Sequence, residues 1–169
     1  MMQTRRLRLR RLRPGDEADL ITLDSDPEVM RWVGSPAGVK SPQETAERAR
    51  QRIGTDHGPM GFWALETRAD DRFCGLGALI RMPDGADVEL AYRLHRRAWG
   101  QGYATEAGAA LLDYAFATLA LPRVVAVTYP DNRGSQRVLD KLGFTRHGII
   151  DYRGVSVVHF VLRAPGGAP

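Results

Sequence analysis

A single mixed α/β domain built around one sheet is the fold class that this sequence predicts. Its 169 residues, 43% hydrophobic and 26% charged, suit one globular domain with a real core. Strand-like and helix-like stretches follow one another in the order β, α, α, β, β, β, α, β, α, β, β, typical of mixed α/β domains. No internal repeat or linker interrupts this order. We therefore expect one domain over 1–169, with a core at about 5–163 and a flexible tail at 164–169.

The first elements are a strand and two helices. In "RRLRLRRL" (5–12), Leu7 and Leu9 alternate with arginines, which predicts a half-buried strand whose basic outer face is solvated. One helix begins near Pro14, and a second covers "SPQETAERARQRI", where Ser41 and Glu44 match a capping box. The stretch between them, rich in Gly and Pro, reads as a loop or short helical turn.

Three strands joined by short turns come next and predict an antiparallel meander: "GFWALETR", "FCGLGALIRM" and "VELAYRLH". A helix then continues to about Leu119. The apolar run "PRVVAVTYP" predicts a centrally buried strand, and "NRGSQRVLDKLGF" predicts a helix that ends at Gly143. Two further strands flank a turn at Arg153 and Gly154. The total is seven strands and about four helices.

Composition excludes several classes of function. No window approaches the roughly 18 uninterrupted apolar residues of a membrane span. Cys74 is the only cysteine and alternates with apolar residues, so we expect a core thiol, no internal disulfide and a cytoplasmic location. Four scattered histidines argue against a metal site. A net charge of +4 permits a phosphate-bearing partner but does not require nucleic acid.

The stretch "RRAWGQGYATEA" (96–107) carries the clearest chemical signal. Gly100 and Gly102 precede a predicted helix, whose first N–H groups and partial positive charge attract anions. Arg96 and Arg97 add full positive charge, so the segment is a candidate cradle for a pyrophosphate. Neither a Walker loop nor a dinucleotide fingerprint fits its spacing. The alternative is a tight strand-to-helix turn that happens to contain glycine.

These residues resemble a known family. Arg-x-x-Gly-x-Gly after a strand resembles the acyl-coenzyme A signature of the GNAT N-acetyltransferases, and "VELAYRLHRRAWGQGYATEA" with "VTYPDNRGSQRVLDKLGF" resembles their RimJ/RimL-like branch. The resemblance covers about 5–163. It implies a mostly antiparallel seven-stranded sheet that splays between strands 4 and 5, and acetyl-CoA as co-substrate. It also implies a set of cofactor-binding residues: Tyr92, Arg93, Leu94, Arg97, Gly100, Gln101, Gly102, Tyr103, Ala104, Asn132 and Ser135.

Acetyl transfer to an amine needs a base, and Glu89 on the strand leading into the cradle is the best-placed carboxylate. Its alternative is a solvent-facing residue paired with an arginine. The family's usual acid, a tyrosine seven residues after the motif asparagine, is replaced by Leu139. Ser135 is then the best donor to the leaving thiolate, ahead of Tyr129 and Tyr103. His95 reads as a surface residue.

The acceptor amine is not identified by any motif. The branch resemblance favours a protein N-terminal α-amino group over a polyamine, an amino acid or an antibiotic. Trp32 and Tyr152 are the predicted substrate-binding residues. Two other classes stay open: a non-catalytic acyl-CoA binder, and a basic nucleic-acid-binding module, which the sparse aromatics on the basic strand argue against. We expect no membrane partner, and homodimer formation stays open.

Overall fold

One sheet runs through the computed structural model, which describes residues 1–33, 40–83 and 85–166. Its eight strands have the order β1-β2-β3-β4-β5-β6-β8-β7. Their bounds are β1 Met2–Gln3, β2 Leu7–Arg11, β3 Gly61–Thr67, β4 Phe73–Arg81, β5 Val88–Leu94, β6 Arg123–Thr128, β7 Thr145–Tyr152 and β8 Val155–Arg163. The prediction of seven strands was one short, because the two residues of β1 pair with β2 and carry no alternating pattern of their own.

The helices lie where the sequence placed them, with one addition. Their bounds are α1 Glu17–Ser25, α2 Pro27–Met30, α3 Pro42–Gly54, α4 Tyr103–Asp113 and α5 Arg133–Lys141. The additional helix is the four-residue α2, within the stretch predicted as a loop or short turn; residues 34–39 of that stretch lie outside the described residues. The capping box of α3 is confirmed, since Ser41 and Glu44 each accept a hydrogen bond from the other's backbone N–H.

Two halves of the sheet meet between β5 and β6. From β1 to β5 every neighbouring pair is antiparallel, as are the pairs among β6, β8 and β7. The pair β5 and β6 is parallel, and within the described residues its register consists of Glu89 opposite Val125 alone. The additional β1 shifts the numbering by one, so β5 and β6 are the fourth and fifth strands of the prediction. The predicted splay between them is present, and it opens from that single pair.

The helix α4 packs across the first half of the sheet. Its own residues Ala107 and Leu111 face the sheet and are fully buried. Gly77 of β4 allows this close approach, because a Cβ at that position would lie 2.9 Å from Leu111 Cδ1. A π-helical turn, Tyr114–Thr118, continues α4 nearly to its predicted end. On the other half, Gly143 has φ +85° directly after α5, as its predicted role at the helix end requires.

The basic face of β2 differs from the expectation of solvated arginines. Leu7 and Leu9 are fully buried as predicted. On the opposite face, Arg10 is only 13% exposed, and its Nη2 lies 2.7 Å from Asp16 Oδ1 and 2.6 Å from Glu66 Oε1. Burial alone would raise the pKa of Asp16, but hydrogen bonds from Arg10 and from the backbone of Arg13 hold it below its usual value. Much of the positive charge on this face of β2 is therefore neutralised by carboxylates of the same chain.

The remaining expectations concern the C-terminal tail, membrane-spanning helices and metal sites. The backbone N–H of Ala164 bonds to Pro122 O at 3.0 Å, so the predicted tail begins with an anchored residue, and 167–169 lie outside the described residues. Among the helices of the described residues, none is long and apolar enough to cross a bilayer. Searching the same residues finds no group of three or more potential metal ligands.

Candidate active site

Glu89 lies at the point where the two halves of the sheet diverge. It is 6% exposed, and its backbone forms the single described pairing between β5 and β6. The phenol of Tyr152, the last residue of β7, donates a hydrogen bond to Glu89 Oε2 at 2.8 Å. A solvent-facing Glu89 paired with an arginine is therefore not what the fold contains.

The surroundings of Glu89 shift its titration. Burial raises the pKa of the carboxyl, while the hydrogen bond from Tyr152 and the charge of Arg153 act in the opposite direction and are outweighed. Tyr152 packs against an apolar cluster that includes Met82 and Val125, so its hydrogen bond to Glu89 has apolar side chains beside it. Such a carboxyl holds its proton to higher pH than a free one and accepts a proton more readily once ionised.

The glycine loop lies at the opposite end of β5 and adopts the conformation that its glycines permit. Gly100 has φ +73° and Gly102 has φ +80°, and Gly102 is the N-cap of α4. Two side chains brace the loop: Gln101 Nε2 donates to Arg97 O at 2.7 Å, and Trp99 Nε1 donates to Leu94 O at 2.8 Å. Left-handed φ at both positions explains why two glycines stand here.

This geometry fits a pyrophosphate-bearing co-substrate. A helix N-terminus that begins at a glycine presents N–H groups without a side chain in front of them. Tyr103 and Ala104 occupy the first turn of α4, as predicted. The guanidinium of Arg97 donates to Phe73 O at 2.9 Å and is exposed, so its charge stays beside the loop. Arg96, by contrast, pairs with Asp26 at 2.9 Å.

The hydroxyl groups of Ser135 and Tyr92 contact each other across the splay. The two hydroxyl oxygens lie 3.0 Å apart, which joins β5 to the first turn of α5. Burial raises the pKa of Tyr92 to about 12, opposed by its hydrogen bond with Ser135, so the phenol stays protonated at neutral pH. Asn132 is the N-cap of α5, and its Oδ1 accepts from the N–H of Ser135 at 3.1 Å. The capping function therefore belongs to Asn132, and the hydroxyl of Ser135 is used elsewhere.

The side chain of Arg93 is committed to the interior. Its Nε lies 3.0 Å from Asp24 Oδ1, and Asp24 also pairs with Arg52. Burial, reinforced by the charge of Arg52, lowers the pKa of Arg93 to about 10. Only the backbone of Arg93 is left for the role predicted from the resemblance.

The remaining side chains considered in the sequence analysis are those of His95, Cys74 and Trp32. His95 is buried at 6% exposure, so its prediction as a surface residue was wrong. Its backbone N–H still bonds to Cys74 O of β4 at 3.0 Å, one residue past the end of β5, and its ring packs edge-on against Phe73. Burial lowers the pKa of His95. Cys74 is buried as expected. Trp32 faces Tyr129 with ring centroids 6.4 Å apart.

Sequence reasoning missed the partners of these residues. Tyr152 is 63 positions from Glu89, and Ser135 is 43 positions from Tyr92. No local pattern announces such pairs, since each depends on which strands become neighbours. The tyrosines themselves were visible as polar aromatics on predicted strands, and that was the one available signal.

With this site described, comparison with known proteins decides the family. A family model described as "Acetyltransferase (GNAT) domain" matches residues 6–145. This chain belongs to the GNAT acetyltransferases. YkkB of Bacillus subtilis (strain 168) is 33% identical to it over 145 residues, which cover 83% of this chain and 82% of the relative. This GNAT enzyme is also similar to a solved acetyltransferase from Agrobacterium tumefaciens str. C58, with a TM-score of 0.82, 26% identity and coverage of 96% and 93% of the two chains.

Two other solved structures share the GNAT fold and differ in acceptor. A ribosomal-protein-S5-alanine acetyltransferase from Vibrio fischeri has a TM-score of 0.76 at 17% identity, covering 99% of this chain and 98% of its own. A spermidine N-acetyltransferase from Vibrio cholerae, solved with CoA and spermine, has a TM-score of 0.75 at 21% identity, covering 93% and 95%. At these identities the likeness shows the fold alone.

Proposed function

We propose that this enzyme transfers an acetyl group from acetyl-CoA to a primary amine by direct attack in a ternary complex, with Glu89 as the general base. The observation that carries this is a buried carboxylate at the divergence of β5 and β6, on the strand that leads into the Gly100–Gly102 loop. From Glu89 to Leu94 an extended strand spans about 17 Å. That length is comparable to an extended pantetheine arm.

The co-substrate would lie along the open edge of β5. Acetyl-CoA supplies an activated acetyl group as a thioester. Backbone N–H groups from Gln101 to Ala104, together with Arg97, would hold its pyrophosphate. The backbone of 92–94 would pair with the pantetheine arm as an added strand, because β6 has turned away from that edge.

The acceptor ammonium nitrogen loses two protons in the reaction, and the leaving thiolate gains one. Glu89 would accept the first from the ammonium group, directly or through a water, and its raised pKa supports that role. The nitrogen of the tetrahedral intermediate would release the second to water as the intermediate collapses. Ser135 would donate a proton to the leaving thiolate. Its contact with the protonated phenol of Tyr92 supports this assignment, because the phenol can replace the proton that the hydroxyl gives away. Leu139 is 1% exposed within the core and has no proton to offer.

For the acceptor we propose a protein or peptide N-terminal α-amino group, as in the RimJ/RimL-like branch. The motif strings quoted above support this. The charge near the base points the same way. Arg153 lies over the ring of Tyr152, 5.5 Å from its centroid, and would repel an acceptor carrying several positive charges.

Release of free CoA thiol from acetyl-CoA tests the proposal. The acceptors are a peptide with a free α-amine, the same peptide Nα-blocked but containing lysine, spermidine and a free amino acid. We expect the highest kcat/KM with the free α-amine, and mass spectrometry should place the acetyl group there. Highest kcat/KM with spermidine would refute the acceptor assignment. CoA binding without thiol release from any acceptor would identify a non-catalytic binder.

A further inference from the structure

The carboxylate of Glu106 is directed away from its own helix. Glu106 lies in the first turn of α4 and accepts hydrogen bonds from Thr4 Oγ1 at 2.6 Å, Arg6 N at 2.7 Å and Arg6 Nε at 2.7 Å. Burial alone would raise the pKa of Glu106, but these hydrogen bonds outweigh it and hold the pKa below its usual value. Glu106 is therefore an ionised anchor for the chain that enters β2.

Arg6 uses the rest of its guanidinium on the glycine loop. Nη1 donates to the carbonyl of Gln101 at 2.8 Å, and Nη2 lies 3.3 Å from the position of a Cβ on Gly102. The guanidinium carbon also lies 4.8 Å from the ring centroid of Tyr103. The contacts with Gln101 and Tyr103, together with the bond to Glu106, thus hold one planar group against the start of α4.

Because a trans peptide is planar, fixing the Gln101 carbonyl also fixes the direction of the Gly102 N–H, which points the opposite way. Glycines on both sides of Gln101 would otherwise allow this peptide to rotate at little cost. A flexible loop loses conformational entropy when it closes around a ligand, and a braced loop has already lost it. The brace comes from the residue just before β2, which the glycine motif does not include.

We infer that Arg6, held by Glu106, is a positioning residue for the pyrophosphate of acetyl-CoA: it fixes the Gln101–Gly102 peptide so that the N–H groups of the cradle are preorganised. This rests on the proposed function. The bidentate geometry of a guanidinium is required, since a lysine ammonium cannot bind Glu106 and the Gln101 carbonyl in the same fixed plane.

The test separates positioning from simple stability. Arg6→Ala, Arg6→Lys and Glu106→Gln are compared by calorimetric titration with CoA and by kinetics with acetyl-CoA and with acetyl-pantetheine, which has no pyrophosphate. For Arg6→Ala we expect Kd for CoA and KM for acetyl-CoA to rise roughly tenfold, with kcat changed by about twofold or less. The kcat/KM for acetyl-pantetheine should stay at the wild-type value. Arg6→Lys and Glu106→Gln, which keep the cation, should raise the same Kd by about threefold or more.

Arg8→Ala is the matched control, because Arg8 is a partly exposed arginine two residues further along the chain, in β2, that pairs with Asp71 at 2.7 Å. Its Kd for CoA should equal that of the wild type. Wild-type affinity in Arg6→Lys would mean that charge suffices and would overturn the inference. Equal losses with acetyl-CoA and acetyl-pantetheine would overturn it in favour of a structural role. A wild-type protein that binds no CoA would refute the proposed function instead.

Discussion

Replacing Glu89 by glutamine tests the centre of the proposed mechanism with little change in shape. The amide keeps an oxygen that can accept the hydrogen bond from Tyr152, now 2.8 Å from Glu89 Oε2. What disappears is the capacity to take up a proton. A positioned general base contributes about 10²–10⁴-fold to rate. That corresponds to about 3–5 kcal/mol of transition-state stabilisation. We therefore expect kcat to fall by about 10²–10⁴-fold.

The loss should depend on pH in a defined way. Since burial raises the pKa of Glu89, the wild-type carboxyl is protonated and inactive as a base at low pH. Above the pKa of the acceptor amine no base is needed. The variant should therefore differ most from the wild type between these two pKa values, and the acidic limb due to Glu89 should vanish. Steady-state kinetics across pH, with CoA affinity measured in parallel, provide the assay.

Stability should change in the opposite direction to activity. A carboxyl whose pKa is higher in the folded than in the unfolded state favours folding at low pH, and this contribution is lost as pH rises through the folded pKa. Each unit of elevation corresponds to about 1.4 kcal/mol. The amide of Glu89→Gln does not ionise, so the variant does not lose this stability as pH rises. At pH 8 it should therefore melt at or above the wild-type temperature.

Glu66→Gln is the matched control, because Glu66 is also buried but lies 2.6 Å from Arg10 Nη2. It should melt at a lower temperature and keep the shape of the pH–rate profile. A Glu89→Gln variant with wild-type kcat and an unchanged acidic limb would remove Glu89 from the mechanism. Water or another carboxylate would then be the base.

Three further predictions use other parts of the molecule. Gly102→Val should weaken CoA binding at least about tenfold, some 1.4 kcal/mol, because φ +80° and the cradle both disfavour a branched side chain; unchanged affinity in a folded variant, measured calorimetrically, would contradict the cradle. Ser135→Ala should lower kcat more than it weakens CoA binding and should be mimicked by Tyr92→Phe, whereas a lower melting temperature with wild-type turnover would assign Ser135 a structural role. Arg10→Ala should cost about 3 kcal/mol in urea unfolding, because it removes the nearest cation from two buried carboxylates and leaves them only the longer contacts to Arg8 and Arg13, and a cost under 1 kcal/mol would refute the buried pairing.

Local chemistry determined the elements and the loop. The alternation of Leu7 and Leu9, the Ser41–Glu44 capping box and the glycines at 100, 102 and 143 each act over a few residues. Their outcome needs only backbone geometry and the next turn of chain. For that reason the order of most elements and the position of the glycine loop could be predicted without any tertiary information.

Tertiary structure decided which side chains work together. Glu89 was visible as a carboxylate on a strand, but its burial and its phenol partner depend on where β7 ends relative to β5. His95 looked exposed beside Arg96 and Arg97 until the fold placed Phe73 against it. The same holds for Arg6, whose bond to Gln101 joins residues 95 positions apart. The separation of two residues along the sequence does not give the distance between them across a sheet. These contacts therefore form only when the strand order and the splay bring the residues together.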